Sequence, residues 1–271
     1  MSSSPPRFAA LPHALLLFVL GACASALHEP HPVAQLAPGQ AHGRSADQLV
    51  READLAWTHH AAPGQAERAQ ALYLDAAAGD AHRTDALLGA MRAMSYRIEH
   101  EQGIERGDLA AKEVELGQWC QRRDPSNAEC DYRLAIALGQ QARERKATGH
   151  DALDRMVTLL RRTIDRAPRL DSGGPHRVLA LVLLRAPEWP VGPGDPEQAL
   201  TEARAAATAF PASADNQLVL AEALAANDAK RDARAAYERA LGLASAARRA
   251  GDPEAVHWVA EARAGLEKMA R

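Results

Sequence analysis

A set of small residues recurs at a fixed interval toward the C-terminus. Ala199, Ala203 and Ala206 are followed 34 residues later by Ala233, Tyr237 and Ala240. Pro211 closes the first unit, and Leu220-Ala221 occupies the middle of the helix that precedes the second set. Small side chains at fixed positions mark places where two antiparallel helices cross closely, because only Ala or Gly leaves room there. A single hairpin of this kind cannot bury its own apolar face, so its neighbours must stack against it. That requirement restricts the chain to a stacked helical architecture.

An interval of this length is the period of tetratricopeptide repeats. Looser earlier pairs fit the same scheme. Leu134, Ala135, Leu138 and Gly139 precede Ala152, Met156 and Leu160, with Pro168 as terminator. Composition agrees, since the hydrophobic fraction is 47% while aromatics contribute only 4%. Ala and Leu therefore dominate, which favours packed helices over strands. Ser45-Ala46-Asp47-Gln48 reads as a capping box that opens a helix ended by Pro63-Gly64. Further helices are expected at about 65–78, 81–101, 108–122, 127–146, 150–166, 174–185, 196–210, 214–227, 230–249 and 253–270. No segment alternates like a strand. The expected fold is all-α: a right-handed, tetratricopeptide-like solenoid of stacked antiparallel hairpins over residues 45–271.

The N-terminus carries a different signal. Arg7 precedes an apolar stretch from Leu11 to Leu20 that is interrupted only by Pro12 and His13, and Leu20-Gly21-Ala22-Cys23 follows. The stretch is too short to span a bilayer as a helix and is laid out like a secretory leader. It resembles the lipobox of bacterial lipoproteins, which implies removal of residues 1–22 and lipidation of Cys23, with acyl chains such as palmitate. Ala24 after the cysteine points to the outer membrane in such proteins. Residues 23–44 hold Pro30, Pro32, Pro38, Gly39 and Gly43 without periodicity and read as a flexible tether.

The two remaining cysteines, Cys120 and Cys130, flank Asp124-Pro125-Ser126. An exported compartment permits a disulfide between them. Two small buried hydrophobes would satisfy the same sequence.

One stretch departs from a plain repeat. It begins Leu170-Asp171-Ser172-Gly173-Gly174-Pro175-His176-Arg177, continues as an apolar helix, and ends in a stretch from Arg185 to Pro196 that holds four prolines, the last of them at the next helix start. Nineteen residues separate Ala180 from Ala199, whereas 12 separate Ala221 from Ala233. A lengthened link in a repeat protein commonly lies on the binding face. Asp195 is placed as an N-cap, with Pro196 at the first helical position and Gln198 at the third.

These motifs resemble the T-component lipoproteins associated with TRAP-type transporters. The resemblance rests on Gly173-Gly174-Pro175 with Arg177, on Arg185-Ala186-Pro187 with Pro190, and on Gly194-Asp195-Pro196 with Ala199. It spans residues 45–245 and is strongest from Asp171 to Pro211. It implies a non-enzymatic, lipid-anchored periplasmic partner of a substrate-binding protein in solute uptake. Relatives in that family are associated with oligomers, so a homo-oligomer is implied as well.

Chemistry offers less. The chain lacks a Gly-x-Ser-x-Gly elbow, a phosphate loop with its Lys, and a His-Glu-x-x-His helix. No cofactor is expected. His28, Glu29 and His31, or the adjacent His59 and His60, are poor metal chelates, since neighbouring helical histidines diverge. A net charge of −3 excludes a nucleic-acid binder that works by neutralising phosphates. Arg177, Arg185 and Trp189 are the candidate partner-binding residues, although the favoured reading of Arg177 is that it pairs with Asp171 or a loop carbonyl and holds the long link in place. The expected function is a periplasm-facing interaction module that is not an enzyme. The alternatives are an envelope-assembly scaffold, or a small-molecule carrier with a pocket under the 185–195 loop.

Overall fold

The computed structural model describes residues 25–270, so Cys23 and the leader lie outside the described residues. The described chain is helical throughout, with one isolated parallel bridge between Glu188 and Gly194. A short α1 (Val33–Leu36) precedes five hairpins. These are α2 (Ala46–Thr58) with α3 (Gln65–Gly79), α4 (Thr84–His100) with α5 (Arg106–Arg123), and α6 (Ala128–Glu144) with α7 (Gly149–Arg166). Then come α8 (Gly174–Arg185) with α9 (Pro196–Ala209), and α10 (Ala214–Ala226) with α11 (Lys230–Arg249). A final α12 (Ala255–Met269) packs on α11 and α10. Even-numbered helices also touch one another, as α4 does α6, α8 does α10 and α10 does α12.

Local chemistry sets the helix starts. Ser45 and Gln48 form a reciprocal capping box, with Ser45 N donating to Gln48 Oε1 at 2.8 Å. Asp195 accepts from Gln198 N at 2.9 Å, with Pro196 at the first helical position. Asn127 and Ser213 cap α6 and α10 in the same manner. Each cap satisfies a backbone donor that the helix itself cannot pair. The helix expected from residue 81 starts three residues later, because Ala81 and His82 form a turn on Asp80.

The recurring small residues are the packing centres. Ala199, Ala203, Ala206, Ala233 and Ala240 are all buried, and Tyr237 shares one core cluster with Ala233 and Ala240. Glycines do the same work where a large side chain crosses. A Cβ at Gly265 would sit 2.3 Å from Tyr237, at Gly89 2.7 Å from Tyr73, and at Gly117 2.9 Å from Leu134. The junction between the second and third hairpins, α5 to α6, is further stapled by a Cys120–Cys130 disulfide with Cα atoms 5.4 Å apart.

Residues 25–44 differ from the expected flexible tether. They form a strap across α3, α5 and α7, held mainly by carboxylates that accept its backbone N–H groups. Ala26 N donates to Asp151 at 2.7 Å, and His31 N to Glu115 at 2.8 Å. Gly39 and Gln40 donate to Asp75 at 2.9 and 2.8 Å. Trp119 Nε1 and Gln118 Nε2 bond back to strap carbonyls, and Ala26 and Val33 are buried. The prolines and glycines that suggest a free linker here shape a segment whose backbone is bound.

One core group titrates unusually. Glu113 on α5 is fully buried; one oxygen accepts from Ser95 Oγ at 2.6 Å and the other has no partner. Burial pushes its carboxyl from 4.5 up to about 8.

Two substitutions test this packing. Replacing Ala233 by Trp forces a ring into a closed crossing; a cost of about 1–3 kcal/mol lowers Tm by roughly 2 to 12 °C for a chain of this size. An unchanged melting curve contradicts the register. Because the native state holds the Glu113 proton where the unfolded chain releases it, stability falls as pH rises from 4.5 through about 8. Glu113→Gln keeps an acceptor for Ser95 and removes that fall, so its Tm advantage over wild type grows across this range. A difference that does not vary with pH contradicts the assignment.

Candidate functional site

The even-numbered helices form an inner row that encloses a concave groove of about 1120 Å³. Arg92, Ser95 and Tyr96 on α4 face Ile136 and Gln140 on α6 and Val178 and Leu181 on α8. Leu153 and Met156 of α7 reach the floor, and Trp258 of α12 closes one end. Most of the lining is apolar, as expected of a surface that binds another molecule by exclusion of water.

Charges around the groove are mostly neutralised within the protein. Arg143 is paired with Glu99. Arg177 binds Asp171 Oδ2 at 3.0 Å, Asp215 Oδ2 at 3.1 Å and Asn216 Oδ1 at 2.9 Å. Arg185 reaches Glu222 at 3.2 Å. Arg92 and Lys146 have no carboxylate partner among the described residues. Arg92 lies over the Trp57 ring, 4.6 Å from its centroid, donates only a long bond to Tyr73 Oη at 3.3 Å, and leaves Nε unpartnered. A cation over an indole face is stabilised by the ring quadrupole.

Next to Arg92 the aromatic side chains are layered. His60 stacks on Trp57 at 4.4 Å, Tyr96 meets His60 edge-on at 4.7 Å, and His100 lies 4.5 Å from Tyr96. His100 Nε2 contacts Glu254 Oε2 at 3.1 Å. The Glu254 hydrogen bond holds the His100 imidazole above its ordinary 6.5, and in return His100 holds Glu254 below 4.5.

The Asp171–Arg177 stretch is an internal brace. Asp171, Ser172 and Gly173 adopt positive φ of 47, 53 and 84°. Gly174 has no room for a side chain, since a Cβ would lie 2.3 Å from the Tyr132 hydroxyl. That hydroxyl donates to Asp171 Oδ2 at 2.6 Å, and burial, with Asp171 beside it, pushes the Tyr132 phenol well up. Gly-Gly-Pro-x-Arg is thus a device for turning the chain onto α8 and locking the turn with Arg177.

The candidate residues fall in different places. Arg177 is 13% exposed and fully committed to Asp171, Asp215 and Asn216, so it shapes the groove wall. Arg185 sits on the rim. Trp189 is 86% exposed and Val191 is 64% exposed, on a loop closed by Gly194 N donating to Pro187 O at 2.8 Å. Only Arg185, Ala186 and Pro187 of that loop border the groove, so it does not roof a pocket as the carrier reading expected. Glu29 and His31 are engaged by Arg122 and Glu115, and no cluster of three metal-ligating side chains occurs among the described residues. Sequence reasoning missed Trp57, Arg92, Tyr96, His100 and Glu254. The available signal was the spacing of Arg92, Tyr96 and His100, which places them on one face of α4.

No family model matches the chain, and no curated protein does. Similar solved structures include TTC0263, a thermophilic TPR protein of Thermus thermophilus, with TM-score 0.59 and 18% identity, covering 82% of this chain and 99% of that one. Another is YrrB, a TPR protein with an unusual peptide-binding site, with TM-score 0.47 and 16% identity over 73% of this chain and 86% of that one. The stacked hairpins, together with the likeness to TTC0263, give the chain the fold of a TPR-like helical solenoid.

Proposed function

We propose that the chain is a protein-interaction module whose concave groove holds a segment of a partner protein. The observation that carries this is the groove itself: α4, α6 and α8 contribute to one largely apolar cavity of about 1120 Å³, with Arg92 left as an uncompensated cation in its wall. An apolar segment with an acidic group fits that surface, because the acid completes the bonding of Arg92 while the rest covers Ile136 and Leu181. Arg185 and the exposed Trp189 loop add contacts at the rim, where Trp is an effective anchor.

The leader places this module at a membrane. Cys23 carries lipid, and Ala24 directs the protein to the outer membrane, facing the periplasm. The strap supports that placement. It holds Ser25 beside Asp151, and two residues of chain reach at most about 7 Å. The domain therefore stays close to its anchor. The motifs around Asp171–Pro211 favour an accessory role in TRAP-type solute uptake, with a substrate-binding protein as partner.

The test is photo-crosslinking in native membranes. A photoreactive side chain replaces Lys146, which borders the groove, or Arg204 on α9, outside it. One stoichiometric protein adduct from position 146, absent at 204, is the expected result. A substrate-binding protein in that adduct supports the transport role, and an envelope-assembly protein supports a scaffold. Equal adducts from both positions contradict the groove as the site, as does a co-purified small molecule without a protein partner. In the same fractions Cys23→Ser moves the protein into the soluble periplasm; persistence in the membrane pellet contradicts the anchor.

A further inference from the structure

His100 ends α4 and Glu254 immediately precedes α12, 154 residues later in sequence. Packing between the inner helices otherwise runs between neighbours in the stack, α4 with α6, α8 with α10, and α10 with α12. The 3.1 Å contact between His100 and Glu254 therefore joins α4, the second helix of the inner row, to the start of α12, its last, across the groove. Both side chains are one-third exposed, so the joint lies at the surface. Trp57, Tyr96 and Trp258 surround it on the groove side.

We propose that the His100–Glu254 pair is a clasp that closes the mouth of the groove, and that its release admits the partner segment. This rests on the reading of the groove as a binding site. A solenoid changes curvature through small adjustments at each interface, so one polar joint between distant turns is the natural place for it to open. Aromatic rings border the joint, but His100 and Glu254 are each one-third exposed, in contrast to the fully buried alanine crossings between neighbouring helices.

The clasp responds to pH. Besides each other, the two residues face His60 at the end of α2 and Tyr96, Glu99 and Glu101 on or next to α4. On the other side lie Asp252 and His257. Glu99 is held by Arg143 and Gln140 of α6, and His257 pairs with Glu261 at 3.1 Å. The clasp needs charged His100 and ionised Glu254. Since Glu254 raises His100, the clasp is intact below the ordinary imidazole value and is lost as pH climbs through the raised one. At the acid end it is lost as pH falls through the lowered value of Glu254. Between these limits the groove is closed, and it opens on the alkaline side.

Distance measurement between nitroxides tests this without any partner present. Labels are placed at Gln102→Cys and Arg249→Cys, both exposed and close in sequence to the clasp, in a Cys23→Ser background. At about pH 5.5 one short distance is expected, joined by a longer population at about pH 8.5. His100→Gln and Glu254→Gln each give the longer population at both pH values, while His257→Gln keeps the wild-type response. Matching far-UV circular dichroism distinguishes opening from unfolding, and if either variant unfolds the wild-type series alone decides. Identical distributions at both pH values overturn the clasp, as does a pH response that survives in Glu254→Gln. Because no partner is in the sample, such a failure leaves the groove reading standing, and failed crosslinking leaves the clasp standing.

Discussion

The structure depends on how closely its helices approach. Two helices pack at 8–10 Å only when the side chains at their crossing allow it. Here the allowance comes from Ala199, Ala203, Ala233 and Ala240, each buried, and from glycines lying under larger groups. Tyr73 covers Gly89, Leu134 covers Gly117 and Tyr237 covers Gly265. Each ring or branched side chain fills the volume that the glycine vacates, so close approach leaves few voids. With that contact made, each hairpin presents its remaining apolar face to the next, and the stack extends by repetition.

Stacking also creates the groove. Every hairpin turns its even-numbered helix inward, so residues with no sequence relation come to line one surface. The wall is stiffened by polar braces at the points where the repeat is irregular. Tyr132, Asp171, Arg177, Asp215 and Asn216 form one such brace, and it absorbs the charge of an arginine that would otherwise face the groove. On the outside the strap ties α3, α5 and α7 together through Asp75, Glu115 and Asp151. Inner surface and outer strap thus use opposite chemistry: apolar exclusion on one side, backbone N–H to carboxylate on the other.

Much of this was legible in the sequence. The periodic alanines located the crossings because one residue type satisfies one geometric need. Ser45 and Asp195 marked helix starts because capping is local. The helices themselves were found nearly to their ends for the same reason. The groove was not legible, since Arg92, Ile136 and Leu181 are brought together only by the superhelix. The strap was misread because its anchors are backbone N–H groups, which carry no sequence signature, and its prolines and glycines suit a free or a bound segment equally. The role of Gly174 needed knowledge of Tyr132, 42 residues earlier. The length of the Arg185–Asp195 loop marked it as a link on the binding face, and the carrier alternative put a pocket under it; length does not fix direction.

The central claim is that buried small residues, and not helix propensity, hold the stack together. A scan that replaces alanines one at a time by Leu in α9 and α11 measures it most directly, by equilibrium unfolding. Leu is about as good a helix former as Ala, so propensity changes little. The account predicts clear destabilisation at Ala199, Ala203 and Ala240 and almost none at the exposed Ala246. Equal tolerance at all four positions would contradict it.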